Sequence, residues 1–451
     1  MKRIFAVLLV LVTVLAMSSP VLAAPTKNVG INVLFSGPAT DAMLAELGMF
    51  GRISAEMVEL NAVTLKADLA DLDAIRALPF VVAANPDAER SGVPVDMVSV
   101  EDFSDGLNTW NLDAINATEF RQGRVTGFDG SGVYVAVLDT GLQDTWRAVF
   151  PQERIAVQYA KSFAGGGGEF GAVSEQPNKW EHDQNGHGTH VTSTIIGYSL
   201  NGTNINGVAP MATIIPVKVL NQNGSGWSSV IAQGITYVAD LKKGPLAGSP
   251  VVINMSLGGS ALDAVEKAAI DYALDAGVLI VASAGNSGTR GMGYPGAYAP
   301  VISVAASGWV GQWYSSNWWV GLNVPDPTVP ENFFIADFSS RALPGQDLDV
   351  TAPGAAVVGP YKLNSGNTLT YYYLSGTSMA SPHVAGIVAL MAQKNPELTN
   401  PAAEMILEGT AIPMPAGCRN IKANLTAWTQ VCWEADATGA GLTTVDAALS
   451  Q

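Results

Sequence analysis

The chain has 451 residues, with 23 Lys and Arg against 39 Asp and Glu and a net charge of −16. That balance excludes a nucleic-acid binder, which needs a basic face. Apolar residues make up 48% and charged residues 14%, so the chain is too apolar to be disordered and long enough to bury a large core.

Residues 1–23 read as a secretory signal. Lys2 and Arg3 form its positive start, Ile4 to Met17 an apolar run too short for a comfortable membrane span, and Val21-Leu22-Ala23 a small-residue cleavage site. An uncleaved anchor is the alternative. No Cys stands near the cleavage site to carry lipid, and later apolar runs are short and broken.

From residue 24 to about 100 the pattern predicts a strand at Val29 to Leu34 and a helix at Asp41 to Leu47. Two short strands follow within Met57 to Lys66, then a helix at Leu69 to Leu78 and a strand at Val81 to Ala84. The β-α-β-β-α-β order is that of a small, ferredoxin-like α+β sandwich. Asn85 to Asp105 is polar and turn-rich and reads as a linker.

Beyond about residue 105, apolar runs recur at Val133–Leu138, Ile214–Leu220, Val251–Met255, Val278–Ala282, Val301–Ala305 and Leu348–Val350. Several are continuous, as expected of strands covered on both faces. Helical patterns lie between them at His190–Tyr198, Ser228–Lys242 and Ala264–Ala276, and Gly165 to Gly168 reads as a flexible loop. The expected fold is α/β, a doubly wound, mainly parallel sheet with helices on both faces. Cys418 and Cys432 are the only cysteines, and in an exported chain they predict one disulfide closing a small loop, with two free thiols as the alternative.

In such a sheet, function collects at the carboxyl ends of the strands. Three segments there carry chemistry. Val135 to Gly141 delivers Asp139 at a strand tip; alone, such an Asp is as often a turn or a cap. Asn185 to Val191 sets His187 among small residues, with His190 one turn further on; His187 is given the exposed role and His190 a buried, structural one. The spacing lacks the Glu of the zinc-hydrolase helix, which argues against a metal pair. Ser375 to His383 turns sharply into a helix with Ser378 at its start, where Pro382 is tolerated and negative charge is favoured. A serine hydroxyl needs a base to take its proton, a neutral His can do so, and a buried carboxylate fixes that His. The order Asp139, His187, Ser378 is one of the known orders of such a triad.

Asp-Thr-Gly at 139–141, His-Gly-Thr-His-Val at 187–191 and Gly-Thr-Ser-Met-Ala-Ser-Pro-His-Val-Ala-Gly at 376–386 resemble the three signature blocks of the subtilisin-like serine proteases. The likeness extends over about 105–451. It implies a secreted endopeptidase that forms an acyl-enzyme at Ser378 and needs no organic cofactor. It implies that the Asn286 amide and the Ser378 amide stabilise the oxyanion. Ser256, Leu257 and Gly258 on one side, and Gly224, Ser225 and Gly226 on the other, would pair with the substrate backbone. Gly293 would form the base of the first specificity pocket, leaving room for a large apolar or aromatic side chain; no acidic residue stands out there for a basic one.

The resemblance further implies that residues 24–104 are a propeptide of inhibitor type, cut from the peptidase domain at 105–451 somewhere around 95–106, with the mature form a monomer acting on proteins and peptides and free of the membrane. Two departures stand out. The calcium-binding His-Pro-Asp that often follows the catalytic Asp is replaced by Gln143 to Phe150, so no metal site is firm; Asn201 still matches a calcium-ligand position, and calcium is admitted as a structural ion. An insertion at 307–336 holds Trp309, Trp313, Trp318 and Trp319, read either as a loop with its own small core or as an aromatic contact surface. Two rival functions are a binding protein that has lost catalysis and an esterase or peptide ligase on the same triad. The intact Asp139, His187, Ser378 and Asn286 count against the first.

Overall fold

The computed structural model describes residues 28–92, 96–99, 108–163, 179–200, 202–325, 327, 329–364 and 368–451. The signal segment, the glycine run at 165–168 and Asn201 lie outside the described residues.

The first unit is an antiparallel sheet of β1 (Asn28–Phe35), β2 (Gly51–Met57), β3 (Ala62–Asp68) and β4 (Val81–Pro86), in the order β2-β3-β1-β4. Two helices, α1 (Asp41–Leu47) and α2 (Leu72–Arg76), cover one face. The period-2 alternation decides the layering: Ile31, Val33 and Phe35 of β1 join Val63, Leu65, Leu47 and Ile75 in a small core. The opposite face turns Leu34, Met57 and Ala62 onto the second unit. Of the two strands expected within Met57 to Lys66 only β3 starts there; β2 lies upstream and ends at Met57, and a 3-10 turn at Val58–Leu60 separates them. That turn closes on Asn61 at φ 50°, a left-handed conformation an Asn tolerates.

The second unit is built on an eight-stranded sheet, in the order Lys161–Ser162, Thr213–Lys218, Tyr134–Asp139, Val251–Met255, Leu279–Ser283, Ile302–Trp309 and Phe333–Ile335, with Val350–Pro353 also on Ile302–Trp309. All pairs are parallel except the edge strand Phe333–Ile335. Both faces are buried: Val135 and Val137 enter one core, Ala136 and Leu138 the other. Helices His187–Ile196 and Thr377–Lys394 supply side chains to the first core, Ser228–Lys243 and Ala264–Asp275 to the second.

The segment read as a linker contains two strands. Glu89–Ser91 pairs with Ser225–Trp227, and Asp96–Ser99 adds to the hairpin Val357–Asn364/Thr368–Ser375. Their polar composition hides them because they are held by main-chain bonds along sheet edges. The tryptophan insertion packs inward: Trp309, Trp313, Trp318 and Trp319 are buried, with the Trp318 ring stacked on Tyr373 at 5.6 Å and tilted against Trp110. Cys418 and Cys432 face each other across the hairpin Gly417–Lys422/Trp428–Trp433 and are joined as a disulfide. Among the described residues no helix is long and apolar enough to cross a membrane.

Candidate active site

Tyr134–Asp139 has later strands on both sides, Thr213–Lys218 and Val251–Met255, so the winding reverses across it and a crevice opens at its carboxyl end. Asp139 sits there, fully buried. His187 Nδ1 lies 2.8 and 3.0 Å from its two carboxylate oxygens, and the Thr140 amide donates to Oδ1 at 2.7 Å. The histidine helix comes this close because Gly188 lacks a side chain: a Cβ there would lie 2.4 Å from the Gly141 carbonyl. Its amide donates instead to Thr140 Oγ1 at 2.8 Å.

Two further residues hold this corner and were not singled out from the sequence. Asp183 accepts from the Gly186 amide at 2.7 Å, and from the Thr189 amide and hydroxyl at 3.1 and 2.8 Å, tying down the start of the histidine helix. Lys218 donates to the Thr140 carbonyl at 2.6 Å. Burial pushes the Asp183 carboxyl up and the Lys218 ammonium down, and each charge opposes the other's shift. The available signals were a carboxylate three residues before the helix-opening glycine and one charge at the end of an apolar strand. His190 has the structural role expected of it: buried, with Nε2 on the Val357 carbonyl at 3.1 Å, and pushed down to about 3 by burial. His187 is not exposed, contrary to expectation. Gly92 overlies it, close enough that a Cβ on Gly92 would lie 3.4 Å from His187 Cε1.

Ser378 is the second residue of its helix. Its hydroxyl donates to the Ser256 carbonyl at 3.1 Å, while Ser256 Oγ donates back to the Ser378 carbonyl at 2.7 Å. His187 Nε2 has no hydrogen-bond partner among the described residues. In this structure the serine hydroxyl is bonded to Ser256 and not to His187. Asn286 follows the strand Leu279–Ser283. Its Oδ1 accepts from the Thr377 amide and hydroxyl, both at 2.9 Å. This fixes the amide plane and leaves Nδ2 as the free donor in a cavity of about 610 Å³ shared with Ser378, Gly258, Gly285 and Gly293. A Cβ on Gly293 would meet the Gly259 carbonyl at 3.4 Å, at the cavity wall.

Of the residues expected to pair with peptide backbone, Gly258, Gly224, Ser225 and Gly226 do so with the chain's own segment. Ser91 exchanges two 3.0 Å main-chain bonds with Gly258, and the Gly92 amide donates to the Gly224 carbonyl at 2.9 Å. Ser225 and Gly226 stand opposite Ser91 and Arg90 in an antiparallel ladder. Leu257 and Ser256 differ: the Leu257 side chain is buried in the core, and Ser256 is bonded to Ser378. Elsewhere in the domain the carboxylates of Asp347, Asp349 and Glu404 converge within 4.8 Å. Asp349 is 1% exposed and its Oδ1 has no partner among the described residues. A hard, oxygen-seeking cation fits that donor set.

The subtilase family model, peptidase S8, matches residues 130–443. The chain is 36% identical over 302 residues to a thermostable alkaline protease of Halalkalibacterium halodurans, covering 67% of each. It is 37% identical over 289 residues to subtilisin DY of Bacillus licheniformis, covering 63% of this chain and 85% of that one. Among solved structures it is similar to fervidolysin from Fervidobacterium pennivorans, a keratinolytic enzyme related to subtilisin, with a TM-score of 0.67 and 26% identity over 94% of this chain. The chain spans 61% of fervidolysin's length. With the Asp139–His187 pair at the strand ends, Ser378 opening its helix beside them and a family match over most of the second unit, this chain belongs to the subtilase family of serine peptidases.

Proposed function

We propose that the chain is an exported serine endopeptidase made as a pre-pro-protein, with residues 1–23 as signal, 24–104 as propeptide and 105–451 as the peptidase. The observation that carries this reading is extended backbone before and after Gly92, the residue over His187. Glu89–Ser91 lies between Ser225–Trp227 and Gly258, and Asp96–Ser99 runs along Tyr372–Ser375. A cleft that accepts chain in both directions suits cleavage within a polypeptide, and main-chain pairing suits broad specificity.

In this reading Ser378 Oγ attacks the peptide carbonyl carbon as its proton passes to His187 Nε2. Asp139 holds Nδ1 and stabilises the imidazolium. The oxyanion takes hydrogen bonds from Asn286 Nδ2 and the Ser378 amide, which as a first-turn amide has no helical acceptor. His187 then protonates the leaving amine, and water, deprotonated by the same His, hydrolyses the acyl ester. Gly293 and its neighbours leave space for a large apolar or aromatic residue before the scissile bond. No organic cofactor takes part. Calcium enters as a structural ion, held by Asp347, Asp349 and Glu404. The propeptide blocks the cleft until the enzyme cuts it, and the mature form is a monomer.

Intact mass of the purified protein, wild type beside Ser378→Ala, tests this. A wild-type mass starting near residue 100 and a mutant mass starting near 24 support self-cleavage. Identical masses starting near 24 would overturn it in favour of a protein that binds without cutting.

A further inference from the structure

The side chain of Arg90 is fully buried in the cleft. It lies on the strand that occupies the substrate path, two residues before the one beside His187. Its guanidinium pairs with Glu266, with Nε at 3.2 and 3.0 Å from the two carboxylate oxygens and Nη2 on the second oxygen. Nη2 also donates to the Ala261 carbonyl at 3.0 Å. Glu266 is itself fully buried, near the start of the helix Ala264–Asp275. The notch that admits the arginine is cut by Gly259: a Cβ there would lie 2.7 Å from Arg90 Nη1 and 2.3 Å from the Glu89 carbonyl.

The carboxylate, the carbonyl and the notch all belong to the second unit and remain when residues 28–92 depart. We infer that Glu266, Ala261 and Gly259 form a subsite that selects arginine in the substrate, at the position two residues before the one that contacts His187. This rests on the endopeptidase reading and adds a substrate class to it: extended peptides carrying a guanidinium at that position. A buried carboxylate facing an apolar residue there would be left without its partner, and the planar fork of arginine matches it better than the single ammonium of lysine. Asp263 also lies nearby; its Oδ1 is taken by the Val265 and Glu266 main-chain amides, which stay, and its Oδ2 by the side-chain amides of Asn32 and Asn85, which leave with the first unit, but it is Glu266 that bonds the Arg90 guanidinium directly.

The test is kcat/KM of the processed enzyme on blocked Xaa-Ser-Gly-Phe p-nitroanilides, with Arg, Lys, Ala or Leu as Xaa. Arg should exceed Ala by about 30-fold or more, with Lys between. Replacing Glu266 alone strands Arg90 in the precursor and endangers folding. The matched pair Arg90→Leu/Glu266→Leu keeps the interface complementary, and in it the Arg-to-Ala ratio should collapse or invert. Equal rates for Arg and Ala peptides would overturn the subsite while leaving the endopeptidase reading intact. Hydrolysis of no peptide would overturn both.

Discussion

Acid should loosen this protein through a histidine in the serine helix. His383 is fully buried; its Nδ1 donates to the Met379 carbonyl at 2.8 Å and its Nε2 accepts from Asn111 Nδ2 at 2.8 Å. Both bonds suit the neutral ring, and burial pushes the imidazole from its ordinary 6.5 down to about 4. The folded value lies below the unfolded one, so the unfolded chain takes up the proton first as pH falls. The stability tied to the neutral ring is present above 6.5 and drains away toward 4. With these two values, linkage gives a loss of about 3 kcal/mol at pH 4 relative to pH 8. The assay is unfolding of Ser378→Ala by denaturant at pH 8, 6, 5 and 4, beside the same chain carrying His383→Gln, whose amide can serve both partners. Buried acids such as Asp113, pushed up to about 7, act with the opposite sign but are common to both chains and cancel in the difference. The gap between the two chains should close or reverse by about 3 kcal/mol on going to pH 4. Parallel profiles would refute the argument.

Other outcomes follow from the same geometry. Asn286→Leu removes the Nδ2 donor and should lower kcat by about 10²–10³ with a smaller change in KM, a range that the oxyanion amide of subtilisin itself supplies; an unchanged kcat would remove Asn286 from the oxyanion site. Gly293→Val narrows the cavity at the Gly259 wall and should shift preference from Phe toward Ala before the scissile bond, read from the ratio of kcat/KM values. Calcium at about a hundred times its dissociation constant should stabilise Ser378→Ala by about 2.7 kcal/mol, and Glu404→Gln should reduce that gain in a thermal melt. No response to calcium or to chelator would remove the ion from the reading.

Much of the candidate site was legible in the sequence because its residues stand in short, local runs. Asp139 closes an apolar strand, His187 stands among small residues that let a helix approach, and Ser378 occupies a sharp turn into a helix. The alternation of apolar stretches with helical periods sets a doubly wound sheet whose strand ends bring Asp139 and His187 into contact, while the Ser378 hydroxyl bonds the Ser256 carbonyl. Tertiary structure decided what depends on residues far apart in the chain. Arg90 and Glu266 meet across 176 positions, and neither has a neighbour in sequence that announces the other. Glu89–Ser91 reads as linker because its strand character comes from the edges of Ser225–Trp227 and Gly258, not from its own side chains. The exposure of His187 failed for the same reason: the Gly92 that covers it arrives from another unit. Local sequence determines where a side chain can point; only the packed fold determines what meets it there, since burial and pairing are properties of the pair.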